Sequence, residues 1–264
     1  MSRAAIIIPA RWGSTRFPGK PLHVLAGKPL IQHVWERCVA VRGADQVIVA
    51  TDDTRILEAA FSFGAEVALT SAKHPSGTDR IAEVAKKLRS TGILLNAQGD
   101  EPFLDPKLAE RLIGVLKSDP TAGMATAACP LDPGDLDNPN AVKVVCNLEG
   151  CALYFSRSPI PFDRGGGPLP PRLRHLGIYA YRRSFLLDFV KQKPSPLEKL
   201  EKLEQLRALE HGAKIRVLTA KNSGPGIDTP EDAIAAEKIL RSPRLSPHSV
   251  ASSGKFKMPA TPEK

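Results

Sequence analysis

The amino-acid sequence predicts an α/β fold: a mostly parallel sheet flanked by helices, with a smaller lobe that contains a β-hairpin. Three observations point to it. Apolar strand-like runs alternate with helix-period segments through about the first 130 residues, the pattern of a sheet wrapped by helices. Beyond that point two short strand-like runs flank a turn. The length, 264 residues, suits one large α/β domain.

The elements follow in order. Ala4–Pro9 is an Ile-rich apolar run, a buried strand, and a loop of Gly, Pro and Arg leads on to Pro21. Leu30, Ile31, Val34, Trp35 and Cys38 recur at helical spacing and predict a helix over Pro29–Val41. Gln46–Ala50 is a second strand, ending at Thr51-Asp52-Asp53. Thr54–Phe63 is helical and stops at Gly64, a C-terminal cap. Glu66–Thr70 is a third strand and Thr78–Leu88 the helix after it. Ile93–Ala97 is a fourth strand, running into Gln98-Gly99-Asp100-Glu101-Pro102, and Asp105–Lys117 is the next helix. Ala141–Cys146 and Ala152–Ser156 flank Asn147-Leu148-Glu149-Gly150 and read as the hairpin. Residues 158–173, rich in Pro and Gly, predict a surface loop, and His175–Tyr181 a strand. Pro196–His211 predicts one helix whose Leu197, Leu200, Leu203, Leu206 and Leu209 face the core. Lys214–Ala220 is a last strand and Thr229–Leu240 a last helix, with Pro230 at its first position. The domain spans residues 1–240; the Ser, Pro and Lys of 241–264 predict a disordered basic tail.

Composition excludes some function classes. The net charge is +9, but the tail holds five cations and one anion, leaving about +5 for the body. A modestly basic body suits an anionic small substrate. Aromatic residues are 5%, and neither an RNA-binding aromatic motif nor zinc-finger spacing occurs, so nucleic acid is not the expected partner. The four cysteines form no C-x-x-C pair, as expected of reduced thiols. No apolar stretch reaches membrane-spanning length and Ala4–Pro9 is too short for a signal-peptide core, so the expected location is the cytoplasm.

In a parallel sheet ligands bind beyond the carboxyl ends of the strands, and the loops after residues 9, 50, 70 and 97 all begin there. The first reads Arg11-Trp12-Gly13-Ser14-Thr15-Arg16-Phe17-Pro18-Gly19-Lys20-Pro21. Its glycines let the backbone approach a ligand, and Arg11, Arg16 and Lys20 supply the cations a triphosphate needs. It matches neither the Walker nor the dinucleotide fingerprint; a solvated basic loop is the plain alternative. Asp100 stands where a carboxylate can hold Mg²⁺ against phosphate oxygens, or simply form a turn. If Thr229 caps the last helix, Asp228 is left over as a second carboxylate; alternatively Asp228 is itself the cap. Arg80, Arg157 and His175 could hold an acidic sugar or serve structure alone.

Taken together these tracts resemble the 3-deoxy-manno-octulosonate (Kdo) cytidylyltransferase family. The resemblance rests on Ile8-Pro9-Ala10-Arg11, Ser14-Thr15-Arg16, Pro18-Gly19-Lys20-Pro21, Ser76-Gly77-Thr78, the Gln98–Pro102 tract, Asn138–Lys143, Ala152–Arg157, Arg174–Tyr179, Leu203–Arg207 and Asp228–Asp232, in order over about residues 4–240. It implies a glycosyltransferase-A-like, Rossmann-like fold, usually a homodimer. Residues 1–130 would be its nucleotide-binding part and 131–228 its sugar-binding and dimerisation part. It implies transfer of CMP from CTP to Kdo with Mg²⁺, for lipopolysaccharide assembly. By position Ala10, Arg11, Ser14, Lys20 and Ser76 would face the nucleotide, beside Arg16. Asp100 and Asp228 would hold the metal. Arg80, Gln98, His175, Tyr179, Glu204 and Gln205 would hold Kdo, with Arg157 near. Lys20, Asp100 and Asp228 would be the catalytic set. Asp79 departs from an expected Glu and Phe162 from an expected Trp. Another acidic sugar, 8-amino-Kdo or sialic acid, is the alternative acceptor.

Overall fold

The computed structural model describes residues 3–13, 16–165, 171–221, 224 and 226–242. The first apolar run becomes strand β1 (Arg3–Ala10), followed by a 3-10 turn over Lys20–Leu22 and a short hairpin, β2 (Val24–Leu25) and β3 (Lys28–Pro29). The alternation continues as α1 (Leu30–Val39), β4 (Gln46–Thr51), α2 (Thr54–Ser62), β5 (Glu66–Leu69), α3 (Gly77–Lys87), β6 (Thr91–Asn96), α4 (Pro106–Ser118) and β7 (Met124–Pro130). The second half holds the hairpin β8 (Lys143–Cys146) and β9 (Ala152–Ser156), then β10 (Leu173–Arg182), α5 (Arg183–Phe189), α6 (Pro196–Glu201), α7 (Gln205–Glu210), β11 (Ile215–Thr219) and α8 (Pro230–Leu240).

Among the described residues nine strands form one mixed sheet, with the path β11-β7-β10-β6-β1-β4-β5. The pairings β1–β4, β1–β6, β4–β5 and β7–β11 are parallel, and β10 lies antiparallel between β6 and β7. The carboxyl ends of β1, β4, β5, β6, β7 and β11 therefore share one edge, and the reversed β10 begins there. Central β1 is apolar at every position from Ala4 to Ile8 because helices cover both faces. Ile6 and Ile8 pack with Leu30, Ile31 and Val34 of α1, Leu112 of α4 and Ala236 of α8. Ala5 and Ile7 face the other way, toward Ile81 and Ala85 of α3 and Leu186 and Phe189 of α5.

Four departures from the sequence reading have physical causes. Strand β7 was not expected: Met124-Ala125-Thr126-Ala127-Ala128-Cys129 is buried throughout, but small alanines carry little strand signal. Helix α5 also went unseen. The single helix expected over Pro196–His211 is two short ones, broken where Lys202 takes a left-handed conformation (φ +54°). The leucine stripe breaks with it, for Leu203 and Leu206 are buried while Leu200 is exposed. The hairpin is attached to the main sheet through β10, where Leu173 pairs with Val144. Of the tail, residues 243–264 lie outside the described residues, as do 166–170 of the loop predicted over 158–173. No described helix is long and apolar enough to cross a membrane.

Candidate active site

Capping sets the site's frame. Asp53, Ser76, Asp105 and Thr229 each accept a backbone N–H at the start of the helix that follows. Because Thr229 caps α8, in a reciprocal pair with Asp232, the carboxylate of Asp228 is free of that task. Gly19 takes a left-handed turn (φ +70°) against the ring of Trp12, over which the Arg55 guanidinium lies 3.4 Å from the ring centroid. Asp53 in turn holds Arg55 at 2.6 Å. This stack fixes the back of the first loop and delivers Lys20 to the sheet edge.

Lys20 Nζ donates to Asp100 Oδ2 at 2.7 Å, to the Ile227 carbonyl at 2.8 Å and to Asp228 Oδ1 at 3.4 Å. Two carboxylates far apart in sequence thus meet at one ammonium nitrogen. Arg16 reaches Asp228 at 3.1 Å from the open side, and Ile227 N–H donates to the Asp100 carbonyl at 2.9 Å. The acceptors that converge on this point are all oxygen, from two carboxylates and one backbone carbonyl, which suits a hard cation such as Mg²⁺. Among the described residues no group of three or more His, Cys, Asp or Glu could hold a metal. A cation here would complete its shell from substrate and water, the usual habit of Mg²⁺.

Gly99 lets two strand ends approach each other. A Cβ there would stand 2.8 Å from the Pro9 carbonyl oxygen, a backbone atom that cannot move aside cheaply. Gly99→Ala is therefore expected to push the β1 and β6 loops apart and lower kcat/KM roughly tenfold, a displacement effect on aligned groups. Steady-state kinetics check this, and unchanged kinetics would show that the approach is dispensable.

A cavity of about 460 Å³ opens beside these groups, lined among others by Ala10, Arg11, Arg16, Lys20, Ser76, Gln98, Asp100 and Asp228. The expected nucleotide side chains therefore share one hollow, except Ser14, which lies outside the described residues. A second cavity, about 610 Å³, is lined by Gln98, Arg157, Arg174, His175, Tyr179, Glu204 and Gln205 together with Glu101. Gln98 belongs to both walls, so two ligands would meet at that side chain.

The expected sugar ligands also make contacts within the protein. Arg80 lines the first cavity, not the second; it is buried, held by Asp52 at 3.0 Å and by the Thr70 hydroxyl. Arg157 aims its guanidinium at the carbonyls of Pro139, Glu201 and Lys202, at 2.8, 2.7 and 3.4 Å, and so builds the wall. His175 is not a cation: burial pushes its pKa down to about 3. Thr126 Oγ donates its proton to the Ile178 carbonyl at 2.8 Å, so at 2.9 Å it accepts from His175 Nε2. Glu204 Oε1 accepts from Ser76 at 3.0 Å and Oε2 from Thr78, and burial raises its carboxyl. Tyr179 donates to Gln205 Oε1 at 3.2 Å; burial drives its phenol well above the ordinary range. Gln205 lines the second cavity, and its Nε2 is buried with no partner within the protein.

Sequence reasoning passed over three wall residues. Arg174 and Glu101 line the second cavity, and burial, then the charge of Asp100, raises the Glu101 carboxyl to about 7. His74 lines the first cavity and carried no sequence signal of its own.

The depressed His175 gives a pH test of stability. The unfolded ring takes a proton below about 6.5 while the folded ring stays neutral, so stability is full above 6.5 and falls as pH drops toward 3. Between pH 7 and pH 5 the wild type should lose about 2 kcal/mol more than His175→Gln. Denaturant titrations at the two pH values measure this, and equal losses would mean the ring is protonated in the folded state.

Comparison with known proteins adds a second line of observation. Residues 5–215 match the family model described as cytidylyltransferase. The 3-deoxy-manno-octulosonate cytidylyltransferase of Anaeromyxobacter dehalogenans (strain 2CP-C) is 52% identical over 241 residues, 91% of this chain and 98% of that protein. A protein of the same name from Pseudomonas syringae pv. syringae (strain B728a) is 49% identical over 247 residues, 89% of this chain and 97% of that one. A solved CMP:2-keto-3-deoxy-manno-octonic acid synthetase, complexed with CTP, matches with a TM-score of 0.87 at 44% identity, covering 90% of this chain and 98% of that one.

Proposed function

The chain belongs to the cytidylyltransferase family, and from that premise we infer its reaction. It is a 3-deoxy-manno-octulosonate cytidylyltransferase, transferring CMP from CTP to Kdo with release of pyrophosphate. The observation that carries this reading is the pair of cavities joined at Gln98, with the Lys20–Asp100–Asp228 cluster on the nucleotide side.

The anomeric 2-hydroxyl oxygen of Kdo attacks the α-phosphorus of CTP; a P–O bond forms as the bond to pyrophosphate breaks, and the hydroxyl proton is lost to water. Positioning and charge neutralisation dominate such transfers. Lys20 and Arg16 offset charge on the leaving pyrophosphate. Gln98 stands between donor and acceptor and aligns them. Gln205, His175, Tyr179 and Glu204 frame the sugar, while Arg157 braces their wall. Arg80 acts from the nucleotide side. Asp100 and Asp228 would hold Mg²⁺, which supplies neutralisation of the phosphates and a lowered pKa for the attacking hydroxyl.

Pyrophosphate release measured with four nucleoside triphosphates, each crossed with Kdo, 8-amino-Kdo and sialic acid, tests the reaction. Turnover only with CTP and Kdo is expected; a preference for either other sugar would reassign the acceptor. Chelation should abolish turnover and added Mg²⁺ restore it. The working form is a cytoplasmic homodimer whose product feeds lipopolysaccharide assembly. Its interface uses the exposed Leu148 and Leu153 of the hairpin and Leu200 of α6. Light scattering at the mass of one chain would remove that part of the reading.

A further inference from the structure

The mechanism above gives no task to His74, a side chain of the nucleotide cavity. His74 lies in the connection between β5 and α3 and lines the cavity beside Pro75 and Ser76. Its Nε2 sits 2.5 Å from Glu83 Oε2. Glu83 comes from the body of α3, is not part of the cavity wall, and also accepts the backbone N–H of Ser71 at 3.0 Å. That backbone bond, with the His74 contact next, holds the Glu83 carboxyl below its usual range, so it is an acceptor only. The proton between the two groups is therefore on Nε2, and the carboxylate fixes one tautomer, as such partners do. In the neutral ring the nitrogen that remains, Nδ1, is then an acceptor.

An acceptor is the wrong group for a phosphate oxygen. The same cavity already presents Arg11, Arg16 and Lys20 for that charge. A tautomer-locked acceptor fits a donor on the uncharged part of the nucleotide. We propose that His74, set by Glu83, reads the nucleoside by accepting a hydrogen bond from it. Two groups have this chemistry: the 4-amino group of cytosine and a ribose hydroxyl. If the amine is the donor, the contact separates cytosine from uracil, which carries an oxygen there, and an acceptor facing an acceptor is penalised.

The inference rests on the reading that this cavity takes CTP, and the test keeps the two apart. Dissociation constants of CTP, UTP, 2′-deoxy-CTP and 3′-deoxy-CTP are measured on the full chain by equilibrium titration, for wild type and for His74→Phe, which keeps a ring but no acceptor. The wild type should hold CTP at least tenfold more tightly than the one analogue that lacks the partner group. In His74→Phe, CTP should weaken to the level of that analogue, identifying the amine or the hydroxyl. Equal weakening of all four nucleotides would overturn the proposal, because the dyad would then only pin the loop; so would four unchanged constants. Should His74→Phe not fold, Glu83→Gln serves: the same gap is expected to narrow at least threefold, and an unchanged gap overturns the proposal. A wild type that binds no CTP sinks the reading beneath it instead.

Discussion

Asp100→Asn is expected to lose at least a hundredfold in turnover, about 3 kcal/mol of transition-state stabilisation. The substitution preserves shape and leaves an oxygen that can still accept from Lys20, which now stands 2.7 Å away. What disappears is one of two negative charges at the point where Asp100 and Asp228 converge. A hard cation bound by only one or two carboxylates depends on each of them. Turnover at saturating Mg²⁺ is the measurement, with a denaturation midpoint to show that the fold is intact. Near-normal turnover would remove Asp100 from the metal site. Asp228→Asn should behave alike, and a difference between the two would rank them.

Lys20→Ala is the second large effect, and its sign differs. Lys20 is mostly buried and makes three contacts around the carboxylate pair. Without the ammonium the two carboxylates keep only Arg16, on the Asp228 side, as a cationic partner, and the more negative pair binds a cation more eagerly. The Mg²⁺ concentration for half-maximal rate should therefore fall, while kcat drops about a hundredfold because the departing pyrophosphate has lost its partner. A half-maximal Mg²⁺ concentration that rises would place the lysine on the metal's side of the problem. Unchanged kinetics would exclude it from the site.

The sequence made the nucleotide side legible because each chemical loop directly follows an apolar strand. Parallel pairing then forces those loops to one edge, and Ala10, Arg11, Lys20 and Asp100 fall together without further information. The cap at Thr229 was readable for the same local reason: Thr-Pro-x-Asp satisfies the first turn of α8 by itself. The sugar side was less open to reading. Which wall Arg80 joins depends on Asp52 and Thr70, ten or more residues away. Arg157 looks like a ligand until the broken helix after Glu201 supplies carbonyls that absorb its donors. Periodicity could not show that break, since the leucines keep their spacing across Lys202 while the chain changes direction. The small alanines of β7 hid the strand that orders His175 through Thr126.

Lys20 and Asp228 are separated by 208 positions, yet the centre does not exist until they touch. A growing polypeptide leaving the ribosome can pair β1, β4, β5 and β6, and then even most of the sheet, before Asp228 arrives. Closing so long a span is among the last contacts a chain makes, because its ordering entropy falls due before any reward arrives. With Asp228 assigned to the centre, the onset of turnover during synthesis or refolding is expected to coincide with docking of the final helix, and a nascent fragment stopped short of Asp228 is expected neither to consume CTP nor to release an activated sugar.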